Sequence, residues 1–382
     1  MKKKLVSIFL TIIIIIIPVF SYGEVNITSK SALLMDYNTG KVIYSLNENE
    51  KLPPASITKI MTLLLTMEAL SNGRITYEDK VIISDYAASM GGTQIYLEPG
   101  ETQTVENLVR AATIRSANDA AVALGEFISG SNEAFVKLMN DKAKALGMVN
   151  THFSNSSGLP TEDHYTSAYD IAIMSRELLR HNKLSKYLTS YMEDLIVGKK
   201  KDSTQTMVNT NKLIKSYEGT TGIKTGSTNA AGYCLSASAK RGDLQLIAVV
   251  LGAKTGAIRF EEAKKLLDYG FANYNSITIG KKGETIVNIP LEKGDEISID
   301  LILERDAYAL IPKDNKGKVD KEIKYPDKIL LPIGKGQIIG ELLISIEGKE
   351  IDRINLIAKN DVNSAGLLKL LKRTFTSFIS GK

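Results

Sequence analysis

Three short segments of the chain carry residue types that could do nucleophilic chemistry. Pro54-Ala55-Ser56-Ile57-Thr58-Lys59 sets a hydroxyl three residues before an amine, and residues at i and i+3 share a helical face. A serine hydroxyl is a weak nucleophile until a base takes its proton. A lysine amine can be that base once burial or a second cation lowers its pKa. Taken alone, a Ser-x-x-Lys pair more often means that Ser56 caps a helix and Lys59 is a solvated charge. The second segment is Arg115-Ser116-Ala117-Asn118-Asp119, where Ser116 or Asn118 could equally start a helix. The third is Gly222-Ile223-Lys224-Thr225-Gly226-Ser227, readable as a strand end with a turn, in which Gly226 would let a ligand backbone come close.

The elements that must position these groups follow from periodicity. Residues Ile57–Leu70 are apolar almost all round, which predicts a buried helix and makes a lysine within it less ordinary. Further helical periods run over Val105–Arg115, Asp119–Ile128, Glu133–Leu146 (closed by Gly147), Ala168–Arg180 with Ser167 as its cap, and Arg259–Phe271. Strands are expected at Ala32–Asp36 and Lys41–Leu46 around a Tyr37-Asn38-Thr39-Gly40 turn, and at Gly232–Ala239 and Leu244–Leu251 around Lys240–Asp243. After Tyr274, alternation such as Ile297, Ile299, Leu301 and Leu303 predicts a small all-β unit, with further strands at Ile329–Ile333 and Ile338–Ile346.

The two ends have characters of their own. Lys2-Lys3-Lys4, an apolar run from Leu5 to Phe20 and Ser21-Tyr22-Gly23 read as an export signal cleaved after Gly23, with an uncleaved anchor as the alternative. At the other end, Leu367, Leu368, Leu371, Phe375, Phe378 and Ile379 fall on one helical face, and Lys369, Lys372 and Arg373 fall elsewhere. That pattern suits a helix lying on an anionic membrane surface; a helix docked on its own protein has the same periodicity.

Composition excludes several classes. With 43% hydrophobic and 24% charged residues over 382, neither wholesale disorder nor a polytopic membrane protein fits. Three histidines and one cysteine leave little for metal chemistry, and no two stand at ligand spacing. The net charge of +5 includes Lys2, Lys3 and Lys4, so the chain beyond residue 23 carries 5 − 3 = +2, no reason to expect nucleic acid. Cys234 sits in strand alternation as a small hydrophobe.

Together, the three segments resemble the signature set of penicillin-binding proteins and class A β-lactamases: Ser-x-x-Lys opening a buried helix, Ser-x-Asn between helices, Lys-Thr-Gly on a strand edge. The chain resembles in particular the D-alanyl-D-alanine carboxypeptidases, low-molecular-mass penicillin-binding proteins of type 5 (peptidase family S11). The likeness extends through Asn150–Phe153, Ser157-Gly158-Leu159, Ala231-Gly232-Tyr233, the stretch from Gly252 to Arg259, the β-unit and the terminal helix.

The resemblance implies an α/β (α+β) transpeptidase-like domain, an antiparallel sheet flanked by helices with a helical lobe over residues ~61–220. The organisation expected is a signal at 1–23, a catalytic domain at 24–275, a β-domain at 276–360 acting as a stalk, and an amphipathic anchor at 361–382. It implies a cofactor-free serine enzyme removing the last D-alanine from peptidoglycan stem pentapeptides at the outer face of the cytoplasmic membrane, and acylated by β-lactam antibiotics. Ser56 would be the nucleophile, Lys59 the base, Ser116 the proton relay to the leaving amine and Asn118 the orienter of Lys59. Lys224 would keep Lys59 neutral and add positive potential. Ser56 and Ser227 N–H groups would form the oxyanion hole, while Thr225, beside Gly226, and Arg259 would receive the terminal carboxylate. Residues Thr151–Pro160 contain no acid to activate a deacylating water, and Ala117 stands where β-lactamases usually carry Asp, so slow penicillin turnover is expected. His164 is expected at the site rim. A DD-endopeptidase, a β-lactamase and a penicillin-binding scaffold with little turnover are the competing readings.

Overall fold

The computed structural model describes residues 25–314 and 318–380, with side chains described up to residue 373. The export signal expected at residues 1–23 lies outside them, as do the side chains of Phe375, Phe378 and Ile379.

β1 (Ser31–Asp36) and β2 (Val42–Leu46) form the expected hairpin. The Asp36 carboxylate accepts hydrogen bonds from Thr39 N at 2.8 Å and Thr39 Oγ1 at 2.6 Å, closing the turn. A 3-10 turn over Ala55–Thr58 leads into α1 (Lys59–Ser71), whose residues from Lys59 to Met67 are all buried. The helical lobe continues through β3 (Lys80–Ile82), α2 (Asp85–Ala88), β4 (Thr102–Thr104), α3 (Val105–Arg110), α4 (Asn118–Ser129), α5 (Asn132–Ala145), α6 (Ala168–Leu178) and α7 (Ser185–Thr189). Ser167 caps α6 by accepting from Asp170 N, as its spacing predicts. The lobe also holds two small hairpins, β3 with β4 and β5 (Met192–Val197) with β6 (Ser203–Val208). Neither is legible as a pattern, because three-residue strands are too short for alternation and β5–β6 lacks a regular apolar period.

α8 (Leu213–Ser216) precedes β7 (Thr220–Thr228), β8 (Gly232–Arg241), β9 (Leu244–Ala253) and α9 (Gly256–Asn273). The main sheet has the order β2-β1-β9-β8-β7 and is antiparallel throughout. It joins the N-terminal hairpin to the Gly232–Leu251 strands, as expected, and adds β7 at the edge. Alternation then splits the interior into two layers. Leu33, Met35, Ile247 and Val249 pack toward α1, α4 and α6, while Leu34, Leu246, Ala248 and Val250 pack under α9. Because both faces are covered, β9 reads as a continuous apolar run rather than an alternating one.

The C-terminal unit comprises β10 (Tyr274–Gly280), β11 (Thr285–Pro290), β12 (Ser298–Leu303), β13 (Ala307–Pro312), β14 (Val319–Lys324), β15 (Ile338–Ile346) and β16 (Lys349–Ala358). One sheet runs β11-β12-β16-β15-β14 and β10 pairs with β13. Ile299, Leu301 and Leu303 face its core, but Ile297 is 70% exposed, so the alternation starts one step later than the sequence suggests. Residues 329–333 are not a strand. Only Ile333 makes an isolated bridge, to Val362, and Leu330 is 75% exposed. Pro332 supplies no N–H to a ladder, and β14 already occupies the edge of β15 that such a strand would need. α10 (Leu367–Ser380) ends the described chain.

Candidate active site

Ser56 lies in the 3-10 turn rather than capping α1: the cap position is Thr58, and no side chain caps the helix. The hydroxyl is free for another partner, and Lys59 Nζ lies 3.1 Å from Ser56 Oγ. The same amine donates to Asn118 Oδ1 and to the backbone carbonyl of Ser157, both at 2.6 Å. A neutral amine has two N–H groups and one lone pair. In the neutral form the two carbonyl oxygens would take both donors and leave the lone pair for Ser56. Complete burial holds Lys59 well below the usual lysine range, with the positive charge of Lys224 acting in the same sense and Asp119 opposing it.

Asn118 is also not a cap. As the first residue of α4 it donates from Nδ2 to Gly91 O at 2.6 Å, while its N–H donates to Thr93 O at 2.7 Å. Asp119, next in sequence, is buried and accepts from the N–H groups of Ile95 and Leu97. The second motif thus holds the loop of residues 91–97 as well as Lys59. Just before it, a π-helical turn over Ala111–Arg115 ends in Ser116, which takes the left-handed conformation (φ 66°, ψ 34°). Such turns inside helices recur at functional sites. Ser116 Oγ is buried with no hydrogen-bond partner among the described residues. It makes no hydrogen bond to either lysine.

The third motif lies on the edge strand β7. Lys224 is buried, and burial followed by the charge of Arg259 lowers its pKa to about 7. Thr225 Oγ1 donates to Thr210 Oγ1 at 2.7 Å. Gly226 is where the strand meets the Ser56 turn: a Cβ there would stand 2.9 Å from Ser56 N and 3.0 Å from Pro54 O. Only glycine admits that approach. Ser227 follows, exposed and paired with Tyr233 across the ladder. Arg259 is not a solvated helix charge. From the first turn of α9 its Nη1 donates to Gly226 O at 3.0 Å and Cys234 O at 3.3 Å, and its guanidinium lies over the Tyr233 ring. It therefore braces the β7 backbone from behind.

One expectation changes, and one further residue joins the site. His164 is not at the rim: it is 6% exposed and lies behind the Ser56 turn, against Thr58. Ser157 enters the site through its carbonyl, which no residue type could have announced. Gly158 was the available signal. It has φ +85°, and a Cβ on it would be 2.0 Å from Ala55 O, so the loop can close on the turn only with glycine there. Cys234 is a buried thiol whose pKa burial raises to about 11, in keeping with an inert hydrophobe. Among the described residues no cluster of His, Cys, Asp and Glu could hold a metal ion.

The comparisons with known proteins agree with this geometry. The D-alanyl-D-alanine carboxypeptidase family matches residues 19–255, and the C-terminal domain of penicillin-binding protein 5 matches residues 274–364. The chain is 47% identical over 353 residues to D-alanyl-D-alanine carboxypeptidase DacF of Bacillus subtilis (strain 168), covering 92% of this chain and 90% of that protein. It is 34% identical over 352 residues to D-alanyl-D-alanine carboxypeptidase DacC of Escherichia coli (strain K12), covering 89% and 86%. The crystal structure of penicillin binding protein 5 from Haemophilus influenzae superposes with a TM-score of 0.76 at 34% identity, over 89% of this chain and 98% of that one. With its three motifs converging on one lysine and its sheet, helical lobe and β-unit in the same order, the chain belongs to the D-alanyl-D-alanine carboxypeptidase family of low-molecular-mass penicillin-binding proteins.

Proposed function

We propose that the protein is a serine-type D-alanyl-D-alanine carboxypeptidase that removes the terminal D-alanine from peptidoglycan pentapeptide stems. The observation that carries this reading is the placement of Lys59 Nζ 3.1 Å from Ser56 Oγ, with Asn118 Oδ1 and Ser157 O each 2.6 Å from the same buried amine. Lys59 removes the Ser56 proton as Oγ attacks the carbonyl between the two D-alanines. The N–H groups of Ser56 and Ser227 receive the developing oxyanion. As the C–N bond breaks, the proton held by Lys59 passes by way of Ser116 to the leaving amine, and D-alanine departs. Water then cleaves the Ser56 ester, its proton returning through the amine. The unpaired Ser116 hydroxyl supports the relay, since it is free to bond an incoming substrate nitrogen. Thr225 and Arg259 are assigned to the substrate carboxylate and Lys224 to the positive potential beside it, with Gly226 giving the strand its close approach and Arg259 also bonding that strand through Gly226 O.

A β-lactam enters the same cycle and forms the same ester. The loop of residues 151–160 carries no carboxylate to activate water, so the adduct persists. Brief exposure to benzylpenicillin should add one drug mass to Ser56, and none to Ser56→Ala. Release of D-alanine from a pentapeptide by Ser56→Ala would overturn the assignment. Rapid drug turnover without an adduct would make the protein a β-lactamase, and cleavage of crosslinked muropeptides would make it a DD-endopeptidase.

The catalytic unit assigned to residues 24–275 is carried, in this reading, on the β-unit of residues 276–360, outside the cytoplasmic membrane. Residues 361–382 bind the membrane surface. Leu367, Leu368 and Leu371 are exposed on α10, beside Lys369 and Lys372, and no helix among the described residues is long and apolar enough to cross a membrane. Deleting the residues after Val362 should release the mature protein from membranes; retention would sink this part.

A further inference from the structure

A buried polar chain runs behind the nucleophile turn, and the reaction just described makes no use of it. Ser154 N–H donates to His164 Nδ1 at 2.9 Å. That bond assigns the ring proton to Nε2, which lies 2.7 Å from Thr58 Oγ1 and donates to it. Thr58 Oγ1 in turn donates to Ala55 O at 2.8 Å. Each group has its donor and its acceptor committed, so the chain has one direction and no alternative partner within it. Its end point is the carbonyl of the residue before the nucleophile. Ala55 holds φ +50°, a conformation unfavourable for a residue with a Cβ and kept only where surrounding contacts impose it. The loop that supplies His164 also supplies Ser157 O to Lys59, Ser156 O to Thr62 Oγ1, and the Gly158 backbone that presses on Ala55 O. One loop thereby grips the nucleophile turn and the base together.

We propose that His164 is a positioning residue: acting through Thr58, it holds the Ala55 carbonyl, and with it the left-handed turn that aims Ser56 Oγ at Lys59. The inference rests on Ser56 being the nucleophile. A small displacement of a reacting atom is enough to cost a large factor in rate, so the chain should tune acylation without touching substrate.

The experiment measures the rate constant for acylation by benzylpenicillin, and separately the dissociation constant of the preceding non-covalent complex. Wild type is compared with His164→Ala, Thr58→Val, Thr58→Ser and the double variant His164→Ala/Thr58→Val. His164→Ala and Thr58→Val should each slow acylation by about 10- to 100-fold with the dissociation constant unchanged. Thr58→Ser keeps the hydroxyl and should restore the wild-type rate. The double variant should be no slower than the worse single one, because both break one chain. Wild-type acylation by the two single variants, additive losses in the double, or a Thr58→Ser as slow as Thr58→Val would each overturn the proposal. Where His164→Ala yields no folded protein, the Thr58→Val and Thr58→Ser pair decides it alone. An adduct mapped away from Ser56 in the wild type is a separate result, and it would overturn the nucleophile assignment itself.

Discussion

The catalytic domain and the C-terminal β-unit handle charge in opposite ways. Around Ser56, Lys59, Lys224 and Asp119 are buried, and the Ser116 hydroxyl and Arg259 Nε are buried without partners among the described residues. In the β-unit the interior is Ile299, Leu301, Leu303, Ile344 and Leu356, and the charges pair at the surface, as in Arg305 with Asp352, Arg353 with Glu341 and Lys359 with Asp300. Among the described residues, no buried polar or charged side chain lies beyond Glu262. Buried amines without a counter-ion are unfavourable for folding, and the same burial lowers the Lys59 pKa. The β-unit buries no such amine among its described residues, and its apolar interior favours folding.

The sharpest way to break this contrast is Lys59→Met. Acylation should fall by roughly 10²–10⁴-fold with loss of the base, while the melting temperature rises, because an apolar side chain of similar length replaces a buried amine. A lower melting temperature would mean that the Lys59 hydrogen bonds stabilise the fold more than its dehydration costs. Gly158→Ala comes next. Its Cβ cannot coexist with Ala55 O, so the loop must retreat from the turn, and acylation should drop by about tenfold or more with a loss of roughly 1–3 kcal/mol in stability. Urea unfolding and the adduct assay read the two effects separately.

Acid should act on the catalytic domain through His164. Burial, with the nearby His152 in the same sense, lowers its pKa from 6.5 to about 4. In the window between those values the unfolded chain binds a proton that the folded chain does not, so stability rises with pH there and is lost as pH falls from 6.5 toward 4. The loss should approach roughly 3 kcal/mol, and His164→Gln should remove it from the urea midpoint measured at pH 4.5. Smallest of all, Arg305→Ala breaks an exposed ion pair in the β-unit. It should change stability by no more than about 1 kcal/mol and leave acylation at the wild-type rate; a slower rate would couple the β-unit to the site.

Much of this site is legible before folding because its chemistry is local in sequence. Ser56 and Lys59 share a turn, and Gly226 and Lys224 share a strand. The helices that bury them show in unbroken apolar runs. What is not legible travels through the backbone. The Ser157 carbonyl reaches Lys59 across a separation of 98 residues, and nothing in a serine marks its carbonyl as an acceptor for an amine. His164 in a polar loop reads as exposed, and only the closure of that loop over the turn buries it. At residues 329–333 the apolar pattern suggests a strand, yet the edge it would need is occupied by β14.

Sequence alone determined the residue types, their local spacing and the faces that must be buried, since helix and strand periodicities are properties of short stretches of chain. Tertiary structure decided which of these groups meet. Lys59 and Asn118 stand 59 residues apart and come within 2.6 Å only because α1 and α4 pack in one lobe, and that same packing removes water from around the amine and so lowers its pKa.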